Sequence, residues 1–347
     1  MTDSQKGTAH GSATVIQSAR DTIVGNSAED MKLIIEALGD QMLKFASVAK
    51  ETAQARLDKF EEMVLNRFAK MEDKYSSAFQ DPDFQYLIGQ SQRAYARSGE
   101  DYTAEILVDL IEQRALEPAR NRLSLTLNDA VEKTAVLTAS ELAELSLIFA
   151  LRYTLQPQIQ TIADLGAYLS EVSKAFLSDV EEDSSSYTYL ASHSCVSIEI
   201  TALSLYEIIN ETYARICSNG ADKSEYTPAL NGMVEVLDTA LLVPSQYDQG
   251  RFVLATNSMT HLRSILNPVG LGHLVEPLWN LQKNFRMPQE ELIIKLEKFF
   301  PEIRNLVAIW DHSPLKSCIL TSTGIAIGYA NYKRKCGFEP DLSVWIK

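Results

Sequence analysis

A long run of apolar and small residues at helical spacing marks the first quarter of the chain. Eleven positions cover 37 residues in ten steps, about 3.7 residues per step. This spacing is nearer to the 3.67 of an eleven-residue repeat than to the 3.5 of a heptad. It predicts one helix from Ser27 to about Ser77, roughly 75 Å long. The positions are Ile34, Leu38, Met42, Phe45, Ala49, Ala53, Leu57, Phe60, Val64, Phe68 and Met71.

The segment before this helix has a different pattern, with β-branched pairs around a polar centre. Thr14 to Val24 (TVIQSARDTIV) predicts a short strand or hairpin, which is marginal alone and needs a partner surface. A stalk this long with an apolar side predicts self-association through residues 14–78. In the alternative interpretation, the helix breaks near Gly39 and packs on its own domain. The residues predicted for the oligomer interface are Ile34, Leu38, Met42, Phe45, Leu57, Phe60, Val64 and Phe68.

The remaining pattern predicts a helical body in two parts with minor β structure. Asp81-Pro82-Asp83 ends the stalk, because proline disfavours helix at the residue before it. Apolar positions at helical spacing then run to Leu177, with a capping box at Thr138 and Glu141 opening a helix that is apolar nearly all round. The acidic, serine-rich segment Asp179 to Ser186 is interpreted as a solvated linker.

Beyond the linker, short strands are predicted at Cys195 to Thr201 and at Leu342 to Ile346. Helices are predicted from Ser204, His273, Pro288, Pro301 and Gly324. The fold class is therefore mainly α. The predicted units are 1–26, a tail and short β element; 27–98, a helical stalk module; 99–180, a helical bundle; and 187–347, a mainly α domain.

Composition narrows the classes of partner. The formal charge of -14 argues against a broad electrostatic contact with nucleic acid or an anionic membrane, so any such contact is local. Four dispersed cysteines fit a reducing compartment. The N-terminus lacks the features of a signal peptide, and no stretch has the roughly 20 apolar residues of a membrane span. We expect a cytoplasmic protein.

The sequence contains none of the common catalytic motifs. The chain has no GxSxG, P-loop, HExxH or paired CxxC, and Asp311-His312-Ser313 is interpreted as a helix end because neighbours cannot form a catalytic relay. His193 with Cys195, and His261 with His273 and Glu276, are only weak candidates for a nucleophile pair and a metal site. No catalytic residue, cofactor or metal is therefore assigned.

Two features stand out near the C-terminus. Gly324 and Gly328 lie four residues apart between isoleucines, a pattern that permits close helix packing. The basic run that follows is a candidate anion contact, although cations at a helix C-terminus also complement the helix dipole. That run is Lys333, Arg334 and Lys335.

Four stretches together resemble a family of functionally uncharacterised bacterial proteins. They are VIQSARDTIVGNS at 15–27, AKETAQARLDKFEEMVL at 49–65, the segment from Arg120 through ELAELSLIFALRYT, and LTSTGIAIGYANYKRKCGFEPDLSVWI at 320–346. The resemblance implies a strand-and-long-helix head and an LTSxGIAIGxAN and DLSxWI ending. Ala19-Arg20-Asp21 departs from the Gly-Gly-Asp that is usual in such heads. The family resemblance also implies a loose association with bacterial conflict and phage defence.

These observations lead to two functional hypotheses. The first is a non-enzymatic, homo-oligomeric interaction or scaffold protein, a sensor or effector component of phage defence with a further protein partner. The alternative is an unrecognised cytosolic hydrolase or nuclease. The alternative requires a pocket in which several polar groups with perturbed pKa values converge.

Overall fold

Helices form most of the architecture of the computed structural model, which describes residues 14–17, 22–25, 28–69, 75, 77–230, 241–337 and 339–347. Before residue 41 only the backbone is described, apart from Lys32. The helices in this part of the chain are α1 Ala28–Phe68, α2 Pro82–Ser98, α3 Asp101–Ala115, α4 Arg122–Thr134, α5 Ala139–Ile148, α6 Ile162–Phe176, α7 Ser184–Ser192, α8 Leu205–Thr212, α9 Lys223–Tyr226, α10 Met259–Leu266, α11 Val275–Asn284, α12 Gln289–Glu297, α13 Ile303–His312 and α14 Ser322–Cys336.

Short strands pair into antiparallel two-stranded sheets. The described strands are β1 Thr14–Gln17, β2 Thr22–Gly25, β3 Val196–Ile198, β4 Leu242–Pro244, β5 Phe252–Leu254 and β6 Cys318–Leu320. Strand β1 pairs with β2, β3 with β6, and β4 with β5. The β3–β6 pair joins segments more than a hundred residues apart, and its register places Ile198 opposite Cys318. The prediction of a mainly α fold with minor strands is confirmed.

The centre of the largest core is the contact between α5 and α14. Every residue of α5 from Ser140 to Ile148 is buried, which confirms the prediction from its apolar sequence. The glycines of α14 make the close approach possible. A Cβ atom at Gly328 would lie 2.7 Å from the carbonyl oxygen of Leu145, and one at Gly324 would lie 2.0 Å from that of Cys195. Packing at this distance excludes any larger side chain.

Local signals explain where several helices begin. The capping box predicted at Thr138 is present, because the Glu141 carboxylate accepts the Thr138 N–H at 2.7 Å. Pro82 occupies the first turn of α2, and the Asp81 side chain caps it. The core formed around α5 and α14 includes residues on both sides of Asp179 to Ser186, and a second apolar cluster lies between Ala214 and Trp279.

Three elements differ from the prediction. The stalk helix ends at Phe68, and the predicted start at Ser27 and the position Met71 lie outside the described residues, as does Ala19-Arg20-Asp21. The acidic segment is shorter than predicted, since α7 begins at Ser184. The C-terminal Leu342 to Ile346 is a single 3-10 turn over Leu342–Val344, not a strand.

The C-terminal turn has a local cause. The Asp341 carboxylate accepts the N–H of Ser343 at 2.8 Å, and the Leu342 carbonyl accepts the N–H of Trp345 at 3.1 Å. These bonds satisfy the backbone within the turn, so the segment needs no neighbouring strand. A period-two apolar pattern in five residues could not distinguish the two structures.

Candidate functional site

Helix α1 packs on the body of the protein along one stripe of its surface. From Ala53 onward this stripe contacts α2 and α3. Phe60 is fully buried and Val64 nearly so. The buried and half-buried positions recur every three or four residues, as one face of a helix requires. They are Ala53, Arg56, Leu57, Phe60, Met63, Val64, Arg67 and Phe68.

The same stripe continues toward the N-terminus, where the body no longer covers it. Residues 41–52, the exposed segment, are exposed on every side of the helix. Met42 and Phe45 extend the stripe, with 70% and 63% of their side-chain surface open to solvent. Ala49 joins them to Ala53, where contact with the body begins. A continuous apolar stripe is thus half packed and half uncovered.

Charged contacts fix the direction in which the exposed segment projects. Arg56 donates to the carbonyls of Ala96 and Arg97 at 3.0 Å each. Lys59 lies 2.7 Å from the Asp101 carboxylate, and this bond lowers the pKa of Asp101. These partners lie at the end of α2 and the start of α3. The base of the exposed segment is therefore held at a defined angle to the bundle.

A second charged contact lies eight residues after Lys59 on α1. Arg67 forms an ion pair with the buried Asp109 and another, at 2.5 Å, with Glu112. Burial raises the pKa of Asp109, although the guanidinium of Arg67 opposes that shift. An unpaired Asp109 would be costly in this position, so the pair specifies how α1 docks on α3.

The predicted interface residues therefore divide into four groups. Met42 and Phe45 are exposed, and Leu57 and Phe68 are half-buried. Phe60 and Val64 are buried against this chain's own α2 and α3, so a second copy has no access to them. The side chains of Ile34 and Leu38 lie outside the described part of the chain.

The basic run at the end of α14 pairs with the chain's own carboxylates. Lys333 lies 3.3 Å from Glu339, and Arg334 lies 2.6 Å from Glu105. Lys335 lies 3.7 Å from Asp179, with its ammonium over the Phe176 ring. The adjoining cavity of about 430 Å³ contains several carboxylates beside Lys333, which disfavour an anion. These contacts favour the packing interpretation of the run.

The candidate nucleophile and metal residues do not converge. Burial raises the pKa of the Cys195 thiol to about 11, which makes it a poor nucleophile, and its sulfur faces the His193 carbonyl. The His261 ring contacts the Thr256 hydroxyl at 3.0 Å, and His273 is exposed. Within the described ranges, no group of three or more His, Cys, Asp or Glu side chains is arranged to hold a metal ion.

One buried carboxylate escaped the sequence analysis. Glu144 lies in the centre of α5, and its oxygens accept from the Ser186 hydroxyl at 2.7 Å, the Ser140 hydroxyl at 3.3 Å and the Glu181 N–H at 3.4 Å. Burial raises the pKa of Glu144 from 4.5 to about 7. The sequence feature that could have revealed this carboxylate is the pair of acidic residues in the mainly apolar run ELAELSLIFA. These bonds connect α5 to the start of α7.

Comparison with known proteins gives a family without an activity. The model of one family, described as ":-like", matches residues 25–346, which is nearly the full chain. Its description names no substrate, reaction or partner. Comparisons with curated proteins and with solved structures found no match. Among the described residues, no helix combines the length and the apolar character needed to cross a bilayer.

Proposed function

This chain belongs to the family whose description reads ":-like" and whose model spans residues 25–346, and on that footing we propose that it is a self-associating interaction protein. The observation that carries the proposal is the apolar stripe of α1, which packs on the body from Ala53 onward and is uncovered at Met42 and Phe45. A second copy of the same helix is the partner that the stripe fits.

Two physical arguments support self-association. Uncovered apolar stripes are unfavourable in water, and a helix surface of matching pattern covers them well. The α1 backbone runs for 41 residues, roughly 60 Å at 1.5 Å per residue, and it packs on the body from Ala53 onward. The ion pairs of Lys59 and Arg67 fix the orientation of the helix, so little order has to be gained when two copies meet.

The first prediction concerns mass in solution. The double variant Met42→Lys with Phe45→Lys should have a lower mass by light scattering than the parent chain at equal concentration. When two copies of α1 pair, the lysines of one copy face those of the other as like charges, and the apolar contact of the stripe is lost. The variant should keep the helical circular dichroism of the parent, because the side chains of residues 41–52 are exposed and do not belong to the core.

A matched control and a deletion complete this test. Ser47→Lys with Gln54→Lys adds the same charge on the opposite side of the helix and should leave the mass unchanged. A chain without residues 1–52 should match the stripe variant. Deletion as far as Asp83 is unsuitable, because it also removes the buried Phe60. If the stripe variant keeps the mass of the parent, association through α1 is wrong.

We extend the proposal to a role as a sensor or effector component of bacterial phage defence. The support is the resemblance of the head to those of bacterial conflict proteins, together with a surface suited to assembly. Affinity capture of the tagged full chain from phage-challenged and unchallenged cells tests this role. We expect a bacterial protein that is enriched after challenge with the parent chain and lost with the stripe variant. The same captured set under both conditions would contradict a defence role.

Within the described segments, no specific observation favours the alternative of a hydrolase or nuclease. Such an enzyme needs a nucleophile or base with polar groups converging on one reacting atom. Cys195 is buried, and His193 and His261 have different neighbours. The perturbed carboxylate, Glu144, is enclosed in the core among hydroxyl and amide donors.

A further inference from the structure

The small β3–β6 sheet has two edges, and the edge of β6 is capped by side chains. Arg152 donates to the carbonyl of Cys318, and the Tyr153 hydroxyl accepts the N–H of Leu320 at 2.9 Å. Both side chains come from the wide helical turn Phe149–Tyr153 that follows α5. The outward carbonyl of Cys318 and the outward N–H of Leu320 are therefore bonded inside the chain, and the side chains of Arg152 and Tyr153 occupy this edge of β6.

The outer edge of β3 has no such cap. In this register Cys195, Ser197 and Glu199 face β6, since Thr321 donates to Cys195 and Glu199 donates to Ser317 at 2.9 Å. The backbone N–H and C=O of Ile198 therefore point away from β6. No hydrogen bond from another described residue reaches them. Ile198 is 48% exposed, and the following Ile200 is fully exposed.

We propose that this edge pairs with β3 of a second copy, antiparallel, about a twofold axis through Ile198. The product is a four-stranded sheet in the order β6-β3-β3-β6. Two copies of one strand satisfy the same row of donors and acceptors by symmetry. Ile198 lies on the same sheet face as the buried Val196, because side chains alternate along a strand. The new pair therefore extends an existing apolar face.

Avoidance of facing like charges favours this register. With the axis at Ile198, each Glu199 lies opposite the neutral Ser197 of the other copy. A register centred on Glu199 places two carboxylates directly opposite each other, which is unfavourable. The selected register instead pairs the β-branched Ile198 with Ile198 of the other copy, which favours pairing. An acidic or unrelated extended peptide would supply neither the neutral residue opposite Glu199 nor the isoleucine opposite Ile198.

This contact goes beyond the association proposed for α1, because it uses a different surface. Two distinct twofold contacts on one chain build assemblies larger than a dimer. The stripe variant, Met42→Lys with Phe45→Lys, removes only the α1 contact and should therefore remain dimeric. Adding Ile198→Lys to it should give a monomer, because two lysines then face each other on the axis. Adding Ser197→Lys instead places each new lysine opposite Glu199 of the other copy. This change should keep or strengthen the dimer.

Cysteine cross-linking tests the register directly. Cys318 lies opposite Ile198 within one chain, so the parent for this test is the full chain with Cys318→Ala. Facing Cα atoms in a hydrogen-bonded antiparallel pair are about 5.5 Å apart, which suits a disulfide. Ile198→Cys should therefore give a covalent dimer under mild oxidation. Ile200→Cys is the control, since Ile200 lies beyond the end of β3 and, in this register, on the opposite side of the axis from its copy, too far for a disulfide.

The outcomes separate the two proposals. A covalent dimer with Ile198→Cys but not with the more exposed Ile200→Cys, also in the stripe variant, supports the β3 contact. Equal cross-linking at both positions, or none at Ile198, overturns it. If the stripe variant is already a monomer before Ile198→Lys is added, the β3 contact is wrong while the α1 contact stands. If the stripe variant keeps the mass of the parent but Ile198→Lys alone lowers it, the α1 contact is wrong and the β3 contact stands.

Discussion

Removal of residues 338–347 should lower the free energy of unfolding by roughly 5 kcal/mol, the loss expected when several large apolar side chains leave a core. Leu342 and Ile346 are almost completely buried. The Trp345 ring lies 5.0 Å from that of Phe149, and its indole N–H donates to the Tyr153 carbonyl at 2.8 Å. The terminal turn is therefore part of the main core.

Denaturant unfolding followed by circular dichroism measures this effect. The matched control is Ser343→Ala with Val344→Ala, two exposed positions in the same turn, which should change the stability by less than about 1 kcal/mol. Removal of the ten residues with no change in the unfolding midpoint would show that the turn does not contribute to the core.

The second large effect concerns the pH dependence of stability at Glu144. Its pKa is about 7 in the folded chain against 4.5 ordinarily, so the folded state binds the proton more tightly than the unfolded state. The protonated carboxyl contributes fully below about pH 4.5, and this contribution is lost as the pH rises through 7. The Glu144→Gln variant should be more stable than the parent at pH 8 by about 3 kcal/mol and nearly equal to it at pH 4.

Glutamine is suited to this position because it keeps the hydrogen bonds. Its carbonyl can accept from the Glu181 N–H, and its amide can donate to the Ser186 hydroxyl oxygen, so only the charge is removed. Glu207→Gln is a control of opposite sign. Hydrogen bonds from Ser204 lower the pKa of Glu207, so its loss should destabilise the chain at pH 8, and this difference should be lost as the pH falls through the lowered pKa. A difference between parent and Glu144→Gln that is constant from pH 4 to 8 would contradict the prediction.

Local patterns in the sequence were sufficient for most helices. The apolar spacing of α5 and its capping residues Thr138 and Glu141 act within one helix, so the sequence contains the whole cause. The small residues of α14 similarly predict a close approach of helices. Their partner, the Leu145 carbonyl, is far away in the sequence and could be identified only in the folded chain.

What the sequence did not predict depends on contacts between distant residues. Arg114 is buried and bonds to Asp81 and Asp83, thirty-three and thirty-one positions earlier, and no local pattern reports such a pair. The division of the α1 stripe into covered and uncovered parts has the same origin, since Met42 and Phe60 have similar sequence surroundings. The free edge of β3 becomes visible only when its pairing with β6 is known.

The wide turn at Phe149–Tyr153 couples the winding of one helix to the capping of a distant strand. A π-type turn is equivalent to a one-residue insertion into an α-helix. If the same five residues took ordinary α-helical winding, Arg152 and Tyr153 would be rotated by up to about 100° about the helix axis. The carbonyl of Cys318 and the N–H of Leu320 would then lose their partners. A change in the winding of this turn would thus open a strand edge 166 residues further along the chain.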